Sequence, residues 1–432
     1  MKKAIIWILL LVLLAGLLAC TPETVTEGTV LASGKTLQSD KYRETSPTID
    51  KSDQVALIDG NSAFAFDLYQ RLKEKDGNLF YSPYSISAAL AMTYAGARGQ
   101  TEQEMAEAMH FVLSQEQLHP AFNWLDQELA QRGEGARGKD DKGFRLNVVN
   151  AIWGQKDYEF MVDFLDTLAE NYGAGLRILD FINDPEESRI TINDWVSDQT
   201  EDRIKDLIAP GVIDSLTRLV LTNAIYFNAA WADQFSTGQT ADGVFHLLDG
   251  NTVTVPMMRQ TASFGYAEGD NYQVVELPYD GHELSMVIML PDDGHLAEFE
   301  ASLDYQQVRD IIAHLEVPRV DLAMPKFEFE SSFSLAEALS TMGMSDAFSS
   351  GADFSGMTGN RDLFIGDVVH KAFVSVDEEG TEAAAATAVV MPTSAPPSEP
   401  VVVTIDRPFI FLIRDIETGA ILFVGRVVNP KA

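Results

Sequence analysis

The amino-acid sequence predicts a mixed α+β fold with large β-sheets. After an irregular N-terminal stretch, helical spacing of apolar residues dominates the first half of the chain and strand patterns dominate the second half. Residues 219–227 form a continuous apolar run, which is typical of a strand buried on both faces. With 46% hydrophobic residues among 432, the chain can bury a large core.

The helices of the first half are predicted from apolar spacing. The first of them carries apolar residues at Phe64, Phe66, Leu68, Tyr69 and Leu72. Residues 85–97 are small and apolar almost all round, which suits a helix inside the core. Further helices are predicted around Met105 and at residues 125–129, before a charged, glycine-rich break at residues 131–143.

Strands and helices alternate after this break. Strands are predicted at residues 144–153, 219–227, 274–277, 284–290, 319–329, 368–376, 409–413 and 421–427. A Pro-Tyr-Asp-Gly turn at residues 278–281 joins two of them as a hairpin. Residues 335–342 predict a helix. An amphipathic helix is predicted at residues 188–207, with a buried side formed by Ile190, Ile192, Trp195, Val196 and Ile204.

The charge of the chain excludes one class of partner. The formal net charge is −34, from 65 Asp and Glu residues against 31 Lys and Arg residues. Such a surface repels phosphate backbones, so we expect no nucleic-acid partner. The chain also lacks the basic stripe that would bind a heparin-like polyanion. We expect an acidic, soluble monomer.

The N-terminus predicts secretion. Two lysines precede an apolar run and a small-residue cleavage site, so residues 1–19 are predicted to be a signal peptide. The run ends in Cys20, the single cysteine of the chain, and resembles a bacterial lipobox. Leu17 and Ala19 fit that pattern, whereas Leu18 is less usual. We therefore expect an extracytoplasmic protein anchored to a membrane through lipidated Cys20, with free secretion as the alternative.

The composition changes again near residue 53. Residues 20–52 are rich in Thr, Glu, Ser, Gly and Lys and show no sustained apolar period, which predicts a flexible tether. Residues 53–430 are predicted to form the folded domain.

Signatures of enzymatic sites are absent from the sequence or lack their structural context. Residues 133–138 match the GxGxxG spacing, but neither a strand before them nor a helix after them is predicted. His282-Glu283 is not followed by the second histidine of a zinc motif. A lone cysteine offers neither a disulfide nor a thiolate cluster. Enzymatic activity is disfavoured, and we expect no cofactor and no metal.

The stretch 378–390 does not have the pattern of a core element. Its four alanines favour a helix, yet it follows a predicted strand and leads into a proline-rich segment. Considered as a strand, it places only small or apolar side chains on one face: Thr381, Ala383, Ala385, Thr387, Val389 and Met391. That face could be buried without stranding a charge. Composition alone favours a linker, whereas the alternation allows an exposed loop that becomes a strand.

These residues carry a family resemblance. Glu378-Glu379-Gly380-Thr381-Glu382-Ala383-Ala384-Ala385-Ala386-Thr387 is similar to the hinge of inhibitory serpins. Further segments resemble serpin motifs in the family order: residues 78–87, 222–231, 255–258, 276–279, 324–327, 407–411 and 423–427. The match covers nearly the whole chain after the tether. Asn228 and Ala229 replace the lysine and glycine that are usual there.

The resemblance implies a fold and a mechanism. The fold would have about three β-sheets, eight to nine helices and an exposed reactive-centre loop at about residues 378–400. A target protease would attack this loop as a substrate, form an acyl-enzyme, and be trapped when the loop inserts as a strand. The resemblance also implies a hydrogen-bonded shutter of Ser82, Ser85, Asn223 and His370 where the sheet opens. Trp231 would lie near the top, where insertion begins.

The family's usual spacing from Gly380 places the cleaved bond at Ser394-Ala395. The stretch up to Arg407 is a few residues longer than common, so Met391, Thr393 or Ala395 are alternative positions for the residue at that bond. Small residues suit elastase-like or subtilisin-like serine proteases. A trypsin-like enzyme is disfavoured because no Lys or Arg lies between Lys371 and Arg407, and a papain-like cysteine protease stays open as a target.

The alternative is a non-inhibitory serpin that acts as a surface binding or structural protein. Such members tend to carry bulky, charged or proline residues in the hinge. None occurs at residues 383–390, so inhibition is the favoured interpretation.

Overall fold

Three β-sheets organise the part of the chain that this computed structural model describes, residues 35–137, 144–381 and 399–431. Their strands are β1 Lys35–Leu37, β2 Leu79–Tyr81, β3 Arg145–Gln155, β4 Leu176–Leu179, β5 Leu219–Ala230, β6 Ala241–His246, β7 Thr252–Ser263, β8 Gly265–Gly269, β9 Tyr272–Pro278, β10 Leu284–Pro291, β11 Arg319–Pro325, β12 Phe327–Ser334, β13 Ile365–Val376, β14 Gly380–Thr381, β15 Val401–Thr404, β16 Phe409–Asp415 and β17 Ile421–Val427.

The sheets differ in size and role. The large sheet has seven strands in the order β1-β4-β3-β5-β14-β13-β12, and β5 also pairs directly with β13. A six-stranded sheet has the order β2-β17-β16-β10-β9-β8, and a four-stranded sheet has the order β15-β11-β7-β6. The mixed α+β fold with three sheets is confirmed.

Helices surround these sheets. In chain order they are α1 Lys51–Leu72, α2 Pro83–Tyr94, α3 Gly99–Ala108, α4 Gln115–Ala130, α5 Val162–Tyr172, α6 Pro185–Gln199, α7 Leu296–Ser302, α8 Tyr305–Ala313, α9 Ala336–Thr341 and α10 Ser355–Thr358. Ten α-helices are thus described where eight to nine were expected, and the shortest, α10, is a single four-residue turn. In the described residues, no helix is both long enough and apolar enough to span a bilayer.

The central strand β5 is buried along all twelve residues, as its apolar run predicts. Its side chains alternate between two cores. Leu219, Leu221 and Ile225 pack in the main core, whereas Val220 and Ala224 pack in a second cluster with α6. Every residue of α2 is buried, which confirms a helix inside the core.

Two predicted elements have wrong bounds. The single strand predicted at residues 319–329 is two strands, β11 and β12, in different sheets, and the chain passes between them at Lys326. The helix predicted at residues 188–207 ends at Gln199, because the Thr200 hydroxyl bonds to the carbonyl of Val196 and accepts from the amide of Ile204. Its predicted buried side is also wrong at one position, since Ile190 is 39% exposed.

The tether assignment of residues 20–52 needs a correction at its C-terminal end. Residues 35–37 form β1, which pairs antiparallel with β4 at the edge of the large sheet. Arg43 then donates to Asn123 at 2.8 Å and to Asp126 at 2.6 Å on α4, and the amide of Glu44 donates to the carbonyl of Glu170 at 2.9 Å. Backbone pairing and ion pairs hold this polar segment on the body although it lacks an apolar period. Residues 1–34 lie outside the described range.

Candidate functional site

The hinge begins as a short strand inside the large sheet. Gly380 and Thr381 form β14, which lies between the upper ends of β5 and β13. Gly380 pairs with Ala230 and Thr381 with Ala229 on β5, both antiparallel. On the other side Thr381 pairs with Val376 of β13. The start of the predicted loop therefore already occupies a strand position between two strands that pair directly lower down.

Glycine is required at position 380 by close packing. A Cβ atom there would lie 2.2 Å from the carbonyl oxygen of Ala229 and 2.7 Å from the Cα of Ala230. Both neighbours are backbone atoms of the central strand, which cannot give way as a flexible side chain would. Gly380 thus permits the chain to enter the sheet tightly against β5.

Trp231 and Tyr279 pack beneath the hinge strand where it enters the sheet. The rings of Trp231 and Tyr279 stack with centroids 4.7 Å apart and an interplanar angle of 8°. The indole N–H of Trp231 donates to the carbonyl of Asp377 at 2.9 Å, and its backbone N–H donates to the carbonyl of Glu379 at 2.9 Å. The hydroxyls of Tyr279 and Thr381 lie 3.0 Å apart in a hydrogen bond. Trp231 therefore lies beside the hinge strand, at the end of β5 where β14 pairs.

Glu378 is held by a buried ion pair. Its carboxylate lies 2.5 Å from the Nζ of Lys326 and accepts from the Thr240 hydroxyl at 2.6 Å. Burial acts to raise the pKa of Glu378, but the hydrogen bonds from Lys326 and Thr240 outweigh it, so the pKa lies below its ordinary value. The carboxylate is charged and fixes the chain just before the hinge strand.

Below the hinge, the large sheet is closed by a direct parallel pairing. Residues 219–225 of β5 pair with residues 365–372 of β13. In this stretch Asn223 lies opposite His370. The His370 Nε2 accepts from the backbone N–H of Ser82 at 3.2 Å, so its proton is assigned to Nδ1, which donates to the Asn223 side-chain oxygen. Burial lowers the pKa of His370 to about 3, and the ring is neutral.

The four predicted shutter residues form one buried network. The Ser85 backbone N–H donates to the Ser82 hydroxyl at 3.2 Å, and the Asn223 side-chain N–H donates to the Ser85 hydroxyl at 2.5 Å. Asn150 on β3 is a further member, because its side-chain oxygen accepts from both Asn223 and Ser85. No spacing in the sequence marks Asn150, since only the pairing of β3 with β5 places it opposite Asn223.

Several predicted site residues lie outside the described residues. These are Cys20, Glu382, Ala383, Ala384, Ala385, Ala386, Thr387, Met391, Thr393, Ser394 and Ala395. The described residues contain no group of three or more His, Cys, Asp or Glu side chains placed to share a metal ion.

Comparisons with known proteins agree with this arrangement. The sequence profile of the family described as Serpin (serine protease inhibitor) matches residues 59–430. An uncharacterized serpin-like protein of Thermococcus kodakarensis is 41% identical, with 92% of this chain and 91% of that protein covered. The leukocyte elastase inhibitor of Bos taurus is 42% identical over 87% of this chain and 99% of its own length.

A solved structure shows the same fold. The native state of the thermophilic serpin tengpin matches with a TM-score of 0.79 and 28% identity, covering 91% of this chain and 97% of that one. Sequence profile, relatives and fold all agree over the domain that carries the hinge strand and the shutter network. The chain therefore belongs to the serpin family of serine protease inhibitors.

Proposed function

We propose that this chain inhibits a serine protease as a suicide substrate, by inserting residues 381–391 between β5 and β13. The observation that carries this proposal is β14, in which Gly380 and Thr381 already pair with β5 while Thr381 also pairs with β13. The loop would insert by extending β14, because β14 already occupies the first two positions of the new strand.

The register of β14 defines where each loop residue would go. Continued down β5 from the pairing of Thr381 with Ala229, it places Thr387 opposite Asn223 and Met391 opposite Leu219, the first residue of β5. Continued along β13, it places Thr387 opposite His370. Eleven residues therefore fill the interval, and Thr387 separates the Asn223–His370 pair that closes the sheet.

The face of the inserted strand follows from Thr381. Its side chain is 2% exposed and contacts Tyr279 in the core. By strand alternation, the side chains at 383, 385, 387, 389 and 391 would point the same way. Alanine, threonine, valine and methionine can be buried there without leaving a charge unpaired.

Insertion has a large driving force. The new strand forms two ladders where β5 and β13 shared one, a net gain on the order of ten hydrogen bonds. At about 1 kcal/mol net for each bond, this amounts to roughly 10 kcal/mol. That is comparable to the stability of an ordinary domain, which is enough to distort a protease dragged with the loop.

The covalent step uses the chemistry of the protease. Its serine oxygen attacks the carbonyl carbon of the bait bond, which is the peptide bond of the reactive-centre loop that the protease cleaves. Its histidine passes the serine proton to the leaving amine, and an ester joins the two proteins. Insertion after this cleavage would distort the protease before water hydrolyses the ester. We place the bait bond at Ser394-Ala395, with Met391, Thr393 and Ala395 as alternatives.

Small bait residues support an elastase-like or subtilisin-like target. The relatives named leukocyte elastase inhibitors favour the first of these. A cysteine protease would form a thioester by the same route and stays an open alternative.

The test is incubation of the protein with elastase, subtilisin and trypsin, followed by denaturing gels. We expect a covalent band with elastase or subtilisin and none with trypsin, and we expect the loop-cleaved inhibitor to melt at a markedly higher temperature. Cleavage without any covalent band and without a rise in melting temperature would sink the proposal in favour of a non-inhibitory binding or structural serpin.

We also propose secretion and membrane anchorage through lipidated Cys20. Labelling of cells with a fatty-acid analogue should tag the protein, and Cys20→Ser should abolish both the tag and the membrane association. If the unchanged chain is secreted but carries no tag, the anchorage proposal is wrong and the protein is freely secreted.

A further inference from the structure

We propose that the tether, now the residues from Cys20 to Lys35, joins the body at the end of the large sheet that lies away from the hinge. A trapped protease would arrive at this same end, called the arrival pole, so the length of the tether limits trapping on a membrane. Lys35 is the first residue of β1. It pairs with Ile178 of β4, Ile178 pairs with Gly154 of β3, and Gly154 pairs with Leu219 of β5. Lys35 and Leu219 therefore lie in one row, meaning a line of paired residues that runs across the strands of the large sheet.

The direction of β1 shows from which end of the sheet the chain enters this row. β1 runs from Lys35, opposite Ile178, to Leu37, opposite Leu176 and hence in the same row as Leu221. The chain thus enters the row of Leu219 from the end of the sheet that lies away from the hinge. The hinge pairs with Ala230, eleven residues further along β5, which corresponds to roughly 36 Å.

The exit is fixed to the body. Beyond β1, Lys41 lies 2.5 Å from Glu170 on α5, and Arg43 bridges to Asn123 and Asp126 on α4. Since these contacts hold residues 35–44 against the edge of the sheet, the tether cannot slide toward the hinge. An anchored molecule would present its bait loop away from the membrane.

The proposed insertion would carry the end of the loop to the row of Lys35. The inference rests on the proposed function here, because the register of insertion places Met391 opposite Leu219, in the row of Lys35. Four strand spacings separate the inserted strand from β1, which corresponds to about 19 Å. A protease held by an ester at residue 394 would arrive beside the tether exit.

A typical protease is nearly as wide as the fully extended tether is long. A protease of about 220 residues has a radius of gyration of about 17 Å and measures roughly 45 Å across. Fifteen residue steps separate Cys20 from Lys35, and they span at most about 50 Å when fully extended. A random coil of fifteen residues has an average span of only about 21 Å. A trapped protease would therefore lie between the body and the membrane and require a nearly extended tether.

The test uses the single cysteine. The mature chain, beginning at Cys20, is coupled through its thiol to phosphatidylcholine vesicles that contain a few per cent of a maleimide-headgroup lipid. A second chain lacks residues 22–29. Both chains capped with N-ethylmaleimide in solution are the matched controls. The target is the protease that gives a covalent band in solution.

We expect the two soluble controls to trap the protease equally. On vesicles, we expect the full tether to trap it and the shortened tether to give several-fold less complex and more cleaved inhibitor. Equal trapping by the two anchored chains would overturn the inference. Cleavage without complex in the soluble controls would instead overturn the proposed function, and the inference with it.

A distance readout adds an independent arm. Fluorescence energy transfer from a labelled protease to a dye in the vesicle lipid should be weak when the catalytic serine of the protease is replaced by alanine. This protease forms no ester and stays at the end of the inhibitor that carries the bait bond. It should rise when the active protease is trapped. Equal transfer from the two would contradict the placement of the tether at the arrival pole.

Discussion

The Nζ of Lys371 on β13 donates to the backbone carbonyl of Lys205 at 3.0 Å. Lys205 belongs to the chain that leads from α6 into β5, so this bond joins the two sides that would separate in the proposed insertion. Lys371 is 8% exposed and also lies 3.1 Å from Glu330. The bond closes the sheet on the face opposite the shutter network.

Lys371→Ala should accelerate spontaneous loop insertion. Loss of a charge-assisted hydrogen bond of about 1.5–3 kcal/mol would speed opening roughly tenfold or more. The measurement is the loss of inhibitory activity over time at a temperature just below unfolding. Glu330→Gln is the control, because the Glu330 side chain is 58% exposed and its ion pair contributes little. Equal rates for the two variants would contradict a role for the carbonyl contact.

Thr387→Arg should convert the inhibitor into a substrate. The register places position 387 between Asn223 and His370 on the core face, where a guanidinium would be buried without a partner. The measurement is the ratio of cleaved inhibitor to covalent complex on denaturing gels. Glu382→Arg is the control, since that position already carries a charge and would face the opposite side of the inserted strand. Unchanged inhibition by Thr387→Arg would refute the inward face.

Gly380→Ala should push the hinge strand out of the sheet. The added Cβ would meet the carbonyl oxygen of Ala229 at 2.2 Å, and such overpacking costs about 1–3 kcal/mol. We expect faster hydrogen exchange in a peptide that contains residues 379–381. Gly238→Ala is the control, because a Cβ there meets only the Ser236 hydroxyl at 3.8 Å. Unchanged exchange at the hinge would show that β14 tolerates the methyl group.

Acidification should destabilise the fold through two buried histidines. Burial lowers the pKa of His370 to about 3 and the pKa of His119 to about 4. Below pH 6.5 the unfolded chain binds protons that the folded chain cannot, so the free energy of unfolding falls as the pH drops. Each histidine should contribute a loss of about 2 kcal/mol between pH 7 and pH 5.

The measurement is the denaturant midpoint at pH 7, 6 and 5. His119→Gln should reduce the pH dependence by about half, because it removes one of the two proton uptakes. An identical pH dependence in this variant would show that other groups cause the loss.

The local sequence pattern predicted those strands and helices that keep the same surroundings along their whole length. The run that became β5 is apolar on both faces because two cores flank it, and the sequence displays that directly. At residues 319–329 the sequence fails to show a break, because β11 and β12 both carry apolar residues at short spacing but belong to different sheets. Strand propensity does not encode which partner a strand takes.

Tertiary pairing explains the remaining differences. Residues 35–37 have no apolar signature, and only the free edge of β4 makes them a strand. Asn150 enters the shutter network because β3 lies beside β5. The hinge is predicted from its alternation of small residues, whereas the packing of Trp231 and Tyr279 beneath β14 depends on the bridge between those two residues.

Strand β1 also affects how the molecule behaves among its own copies. An open sheet edge offers unpaired backbone groups to any passing strand and so promotes aggregation. β1 covers that edge of β4, and in the described part of the chain β12 is the other edge of the large sheet. There Glu328 and Glu330 are exposed at alternate positions, so two such edges repel each other. A large sheet that would admit one further strand of its own chain thereby discourages strands from neighbouring molecules.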